Sequence, residues 1–296
     1  MRAFPACRWF VWGVAAASIA SAAPSTQAAF ASPKDAASAL FAAIESGDYP
    51  VFLSIAGDRM AAFWNAGDGS RGALQRMRFA DAARDHGFTT RPVSAVKVTL
   101  YVPGMPDGFP APLIKTGSGW QFDAEAGATI FKAQRIGSNE AAVVELGRRL
   151  REAEATWSAR AQGGAGYTQK IRSTDGQHDG LYWAGGEGED QEESPLGPVF
   201  AAAAYSEREP TAEPTAEPRP LFGYYIRILA PTRAAFAFIA WPAEYGATGA
   251  RSFLITQEGD VYRRDLGRDS ARFASKLTGI PSLKGWTRVP TSKDSE

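Results

Sequence analysis

The sequence predicts an α+β fold in two units: N-terminal helices with a small antiparallel sheet, then a long helix packed on a C-terminal antiparallel sheet. Three observations carry that expectation. Apolar spacing is helical as far as His86 and then switches to strict alternation between Val96 and Val102. A single apolar stripe recurs every seven residues from Ile136 to Trp157. Alternating segments return between Gly223 and Arg264. A period near 3.6 marks a helix with one buried face, and a period of two marks a strand with one buried face.

The first helix is signalled at both ends. Ser32 can cap it, Pro33 fits the first helical position, and Asp35 complements the positive end. Leu40, Phe41 and Ile44 form its apolar face, and Gly47 ends it. Tyr49 to Ala56 reads as a second short helix, and Arg71 to His86 as a third that contains Leu74, Met77 and Phe79. Val96, Val98, Leu100 and Val102 then alternate with polar or small residues as a strand. Pro112 to Lys115 and Trp120 to Asp123 form a hairpin across Thr116-Gly117-Ser118-Gly119.

Residues 31–134 make up the first unit and 135–290 the second, with a short tail at 291–296. Ser138 is read as the cap of a helix running to about Arg160. Its stripe is Ile136, Val143, Leu150 and Trp157, with Leu146 and Ala153 between. Glu145–Arg149 and Arg148–Glu152 are one turn apart on the outer face. Residues 163–220 read as irregular. They contain the acidic run Glu187, Glu189, Asp190, Glu192 and Glu193, and the repeat Thr211-Ala212-Glu213-Pro214, Thr215-Ala216-Glu217-Pro218. Such composition favours an exposed, solvated loop. The strands expected after it are Gly223 to Leu229, Ala235 to Trp241, Arg251 to Gln257 and Val261 to Arg264. Ile226, Ile228, Phe236, Phe238, Phe253 and Ile255 would face the helix, each alternating with a residue turned away.

The chain opens as a secretory leader. Arg2 and Arg8 precede the uncharged run Trp9 to Ala20, and small-residue cleavage sites follow at Ala20-Ser21-Ala22 and Thr26-Gln27-Ala28. That run is shorter than the roughly 20 apolar residues of a membrane span. The leader, assigned residues 1–28, implies a periplasmic protein, or alternatively a secreted one. It would take the single cysteine, Cys7, with it, leaving no thiol for a disulfide, a nucleophile or a metal site. The 32 basic and 32 acidic residues balance, so no basic face for nucleic acid is expected. The mature chain is expected to be soluble and without a membrane span. Its 45% apolar content supports a packed core.

Several separated motifs are distinctive: Asp179-Gly180-Leu181-Tyr182-Trp183, Ser194-Pro195-Leu196-Gly197-Pro198, Gly223-Tyr224-Tyr225 and Ala240-Trp241-Pro242-Ala243-Glu244-Tyr245-Gly246. With Trp120-Gln121-Phe122-Asp123, Arg135-Ile136-Gly137 and Asp265-Leu266-Gly267, they resemble the bacterial exported family called domain of unknown function 2950. The resemblance runs from about Ala31 to Pro290. No activity or catalytic residue is established for that family, so the resemblance carries no functional residue over to this sequence. The second unit also resembles pilin-like globular domains in its order of elements, with Thr248 to Phe253, Gln257 and Gly259 to Val261 as closing strands. Ala124 to Gln134, read as preceding the helix, is too short and too polar for a pilin's membrane-embedded half. The first unit is similar in layout to a cystatin-like cone.

Chemistry is sparsely signalled. Gly67-Asp68-Gly69-Ser70-Arg71-Gly72 matches a dinucleotide-binding string but follows no strand, so a loop is the better reading. His86 and His178 are the only histidines and fall in different units, which excludes a histidine-rich metal site. Asp175 and Asp179 lack the spacing of a calcium loop. No cofactor motif and no catalytic residue is assigned. Tyr182, Trp183, Trp241, Glu244 and Tyr245 are the candidate ligand-binding residues, because amphipathic rings beside a carboxylate suit a sugar-like or peptide-like ligand. The function expected is a non-enzymatic binding or assembly module that engages an envelope protein or polymer. The alternative is a hydrolase acting on an envelope polymer through carboxylates such as Asp123, Glu125 and Glu244, which folding would have to bring together.

Overall fold

A computed structural model describes residues 27–65, 70–105, 108–160, 166–183, 193–197, 220–232 and 234–290. The leader run, the start of the glycine string at 67–69, most of the acidic run, the Thr-Ala-Glu-Pro repeat and the tail lie outside the described residues. Among those described, six helices and two antiparallel sheets give the α+β class expected.

Helix α1 spans Pro33–Ser46, with Ser32 accepting from the Asp35 amide at one end and Gly47 left-handed at the other. Helix α2 is Tyr49–Ala56, capped by Asp48. A 3-10 turn at Asp58–Met60 leads into the short α3, Ala61–Trp64, and α4 follows at Ser70–His86. The first sheet takes its strands in chain order: β1 Thr89–Ser94, β2 Lys97–Tyr101, β3 Leu113–Thr116 and β4 Gly119–Phe122. The alternation expected there holds for Val98, Leu100 and Val102, which are buried, but Val96 lies in the turn before β2 and is 54% exposed. The edge strand β1 and the turn and helix at 58–64 carry no clear period and are additions to the sequence reading. Leu40, Phe52, Phe63, Phe79, Leu100 and Phe122 are the centre of the first core.

The expected start of the long helix is corrected by the structure. Helix α5 runs unbroken over Ala124–Ala159, 36 residues, and its cap is Asp123, whose carboxylate accepts from the Ala126 amide at 3.0 Å. Ser138 is an exposed residue in mid-helix. Gly137-Ser138 looks like a break followed by a cap. One glycine in a helix interior costs only about 1 kcal/mol, however, and both halves of this helix are anchored. Phe131 enters the first core, with its ring 5.5 Å from that of Phe63. Val143, Leu146, Leu150, Ala153 and Trp157 enter the second. Ile136 is only partly buried, so the stripe begins one heptad later than its sequence period suggests. Two glycines permit close packing at the two ends. A Cβ at Gly127 would lie 2.6 Å from the Ala111 Cβ, and one at Gly147 2.7 Å from the Ile255 Cγ1.

The second sheet is a five-stranded meander: β5 Tyr224–Thr232, β6 Ala235–Pro242, β7 Ser252–Thr256, β8 Val261–Arg264 and β9 Thr287–Arg288. Ile226, Phe236, Phe238, Phe253 and Ile255 pack with the α5 stripe, as expected; Ile228 is only partly buried against it, and Tyr224 joins it. The residues alternating with them are not turned to solvent, which is a second correction. Leu229, Ala237, Ile239, Trp241 and Leu254 build a third core with Ala274 of helix α6 (Ser270–Lys276) and Trp286. The near-continuous burial of β6 follows from cover on both faces. Arg227 crosses to that side and donates to the carbonyls of Ser275 and Leu277, tying β5 to the end of α6.

In the irregular stretch, 166–183 is pinned by backbone bonds such as Leu181 to Lys170 (3.1 Å) and Tyr182 to Ile171 (2.9 Å). Leu196 is buried in the second core and donates to the Leu181 carbonyl, so 193–197 departs from the exposed loop expected there.

Candidate functional site

The aromatic and acidic residues singled out from sequence do not converge on one pocket. Tyr182 and Trp183 lie on the α5 side of the second sheet. Trp183 stacks on His178 with ring centroids 4.1 Å apart, which gives that histidine a packing role. Trp241 lies on the opposite face, 2% exposed in the third core and tilted against Tyr225. Glu244 is exposed on the loop between β6 and β7. The Tyr245 hydroxyl reaches Asp265 at 3.2 Å, and that hydrogen bond raises its pKa.

The remaining candidates have local structural roles. Asp123 caps α5, and Glu125 pairs with Arg59 at 2.6 Å. Asp179 accepts from Lys170 Nζ at 2.6 Å and from the Thr174 amide at 2.8 Å. Partial burial pushes its carboxyl up, but the Lys170 and Thr174 hydrogen bonds outweigh it and hold the group below its ordinary value. Among the described residues, no group of three His, Cys, Asp or Glu side chains is placed to hold a metal ion.

The loop Glu244–Ala250 is instead held by a partly buried polar network. Asn139 and Glu140, successive residues on α5, hold it from below. Asn139 Nδ2 donates to the Thr248 carbonyl at 2.8 Å. One Glu140 oxygen accepts from the amides of Ala250 and Arg251, both at 3.1 Å, and the other accepts from the Arg251 guanidinium at 2.9 Å. The Tyr224 hydroxyl donates to the Arg251 carbonyl at 2.9 Å. Burial, aided by the charge of Glu140, pushes the Tyr224 pKa upward, so the group stays a donor. Both partners of the Glu140–Arg251 pair are thus satisfied, which burial of the carboxylate requires.

Gly249 completes this arrangement. A Cβ there would stand 1.9 Å from the Tyr224 hydroxyl oxygen and 2.4 Å from Cζ, against a ring with no exposure. Gly249→Ala is expected to lower stability by about 1–3 kcal/mol, the usual cost of overpacking a closed site. Thermal unfolding checks it. Tyr224→Phe, which removes the nearest atom, should return part of the loss when combined with Gly249→Ala; an unshifted midpoint for the single variant would contradict the packing.

The clamp delivers Arg251 to the rim of an open cleft of about 380 Å³, lined by Arg251, Arg263, Arg264, Asp265, Gly285 and Thr287. Arg263 and Arg264 are successive residues at the end of β8, with Ser252 opposite Arg264, Phe253 opposite Arg263, and Arg263 opposite Thr287 on β9, so their side chains leave opposite faces of the strand and the cleft lies at its end. Arg251 is compensated by Glu140. Among the described residues Arg263 and Arg264 form no ion pair, and Asp265 is engaged by Tyr245. A guanidinium group without a carboxylate partner suits carboxylate or phosphate groups, which it binds in a two-pronged geometry. Of the sequence candidates only Tyr245 touches this cleft, through Asp265. The Arg263-Arg264 pair at a strand end was its visible signal; Glu140 could have been read from its place among the buried positions of the long helix.

A two-sheet α+β protein threaded by one long helix, with a positively charged cleft at one sheet edge, is the class these features define. The chain belongs to the family described as protein of unknown function DUF2950, whose model matches residues 27–235 and 231–289. No curated protein and no solved structure was found to match it. The pilin-like and cystatin-like comparisons therefore stand on the order of elements alone.

Proposed function

We propose that this protein is an exported, non-enzymatic binding or assembly module of the bacterial cell envelope. It works in the periplasm, and its ligand surface is the Arg251–Arg263–Arg264 cleft. The observation that carries the reading is the pair Arg263 and Arg264, which line an open cleft with no ion pair among the described residues. The ligand class that fits is an anionic envelope component bearing carboxylate or phosphate groups. The local roles of Asp123 and Glu125 favour binding over carboxylate-dependent hydrolysis. Among the described residues, no helix is long and apolar enough to cross a membrane.

The test is co-sedimentation of the purified mature chain with insoluble cell-wall sacculi at low and high salt. Retention should weaken with salt, as screened charge contacts do. Combined Arg263→Ala and Arg264→Ala should reduce retention at least about tenfold, since each hydrogen bond to a charged group contributes about 1.5–3 kcal/mol. Retention equal to that of the parent chain would refute the cleft as the binding surface. If sacculi retain neither chain, crosslinking in intact cells from position 287 identifies a different anionic partner, or finds none and sinks the reading.

A further inference from the structure

We infer that the leader is cut after Ala22, six residues before the end assigned to it from sequence, so that the mature protein begins at Ala23 and keeps Gln27. The inference rests on the export proposed above. Two small-residue sites compete in the sequence, Ala20-Ser21-Ala22 and Thr26-Gln27-Ala28, and a leader peptidase accepts either pattern.

The folded protein discriminates between them. Gln27 Nε2 donates to the Ile55 carbonyl at 3.0 Å and to the Phe122 carbonyl at 2.7 Å. Ile55 lies in the last turn of α2, where carbonyls lack a helical donor. Phe122 ends β4, next to the residue that caps α5. One side chain therefore joins α2 to the junction of the first sheet and the long helix. The Gln27 carbonyl in turn accepts from Gln121 Nε2 at 3.0 Å, and the Ala28 amide donates to the Ser54 carbonyl at 2.8 Å. Phe30 extends the anchorage by exchanging backbone bonds with Trp120 at 2.9 and 2.8 Å.

A cut after Ala28 would remove Gln27 and leave the Ile55 and Phe122 carbonyls, both in a partly buried setting, without this donor. A cut after Ala22 leaves four residues ahead of Gln27 and the anchorage whole. The family match also begins at residue 27.

The experiment is expression of the full chain in a bacterial host, fractionation, and N-terminal sequencing with intact mass of the extracytoplasmic protein. Ala23 is the first residue expected. A chain beginning at Ala29 overturns the inference while leaving export intact. A chain beginning at Met1 in that fraction overturns export and the inference together, and any other first residue overturns the assigned site. Ala22→Arg provides a second readout. It should leave most of the protein as uncleaved precursor, whereas normal release of a chain starting at Ala29 would show that the downstream site is the one used.

Discussion

Leu150→Ala is expected to destabilise the protein by about 2–5 kcal/mol, and Leu150→Asp by more. Leu150 is 1% exposed, at the middle of the α5 stripe that covers the second sheet. Removing its side chain takes apolar area from the core and leaves a cavity between α5 and β7, whose Ile255 already touches the helix backbone at Gly147. Both terms add, which gives the range usual for a buried leucine. Aspartate brings the same cavity and also a carboxylate with no cation beside it, which the interior cannot solvate. Chemical denaturation of both variants checks the order. An unchanged melting temperature for Leu150→Asp would place the stripe outside the core and make it a surface for a partner helix.

Elements with a clean period were legible in the sequence. Tyr49–Ala56 and Val261–Arg264 coincide with the spans expected, and the other helices and strands of regular period differ by a residue or a few at their ends. Periodicity reports one buried face, and these elements have one. It failed where an element has two masters. Helix α5 buries one set of residues in the first core and another in the second, with exposed positions between, so no single stripe crosses Gly137. The far face of the second sheet was misread for a related reason. Ala237, Ile239 and Trp241 read as the other phase of a half-buried strand, and only the later chain, with Ala274 and Trp286, reveals what covers them.

The candidate site was less legible because its parts are distant in sequence. Glu140 acts on Ala250 and Arg251, more than a hundred residues away, and neither end carries a motif. The aromatic cluster taken from sequence was dispersed by strand alternation: Trp241 occupies a position of the third core, whereas Trp183, in an irregular segment, packs into the second. A neighbouring pair such as Arg263-Arg264 was visible, but its meaning depends on Arg251 arriving beside it across the sheet.

The stability of this protein is expected to fall as pH rises from about 5 to 8, with Glu154 as a principal cause. Glu154 has no exposed surface and lies on the buried face of α5, between Leu150 and Trp157. One of its oxygens accepts from the Thr168 amide at 3.2 Å, and the other has no hydrogen-bond partner among the described residues. Burial pushes its pKa from 4.5 up to about 8 and outweighs the Thr168 hydrogen bond, which pulls the other way. The folded state therefore holds a proton on Glu154 that the unfolded chain has already lost. Stability from this group is complete below the unfolded value of 4.5, declines as pH rises by up to about 1.4 kcal/mol per unit, and is gone above the folded value near 8. Glu154→Gln keeps the shape and the acceptor for Thr168 but cannot ionise. Its buried amide costs something at every pH, so the variant should be the less stable of the two near pH 5 and should gain steadily on the parent chain towards pH 9. Denaturant midpoints measured across that range check it. Parallel curves for the two proteins would show that Glu154 ionises in the folded state much as it does in water, against the burial that the fold assigns to it.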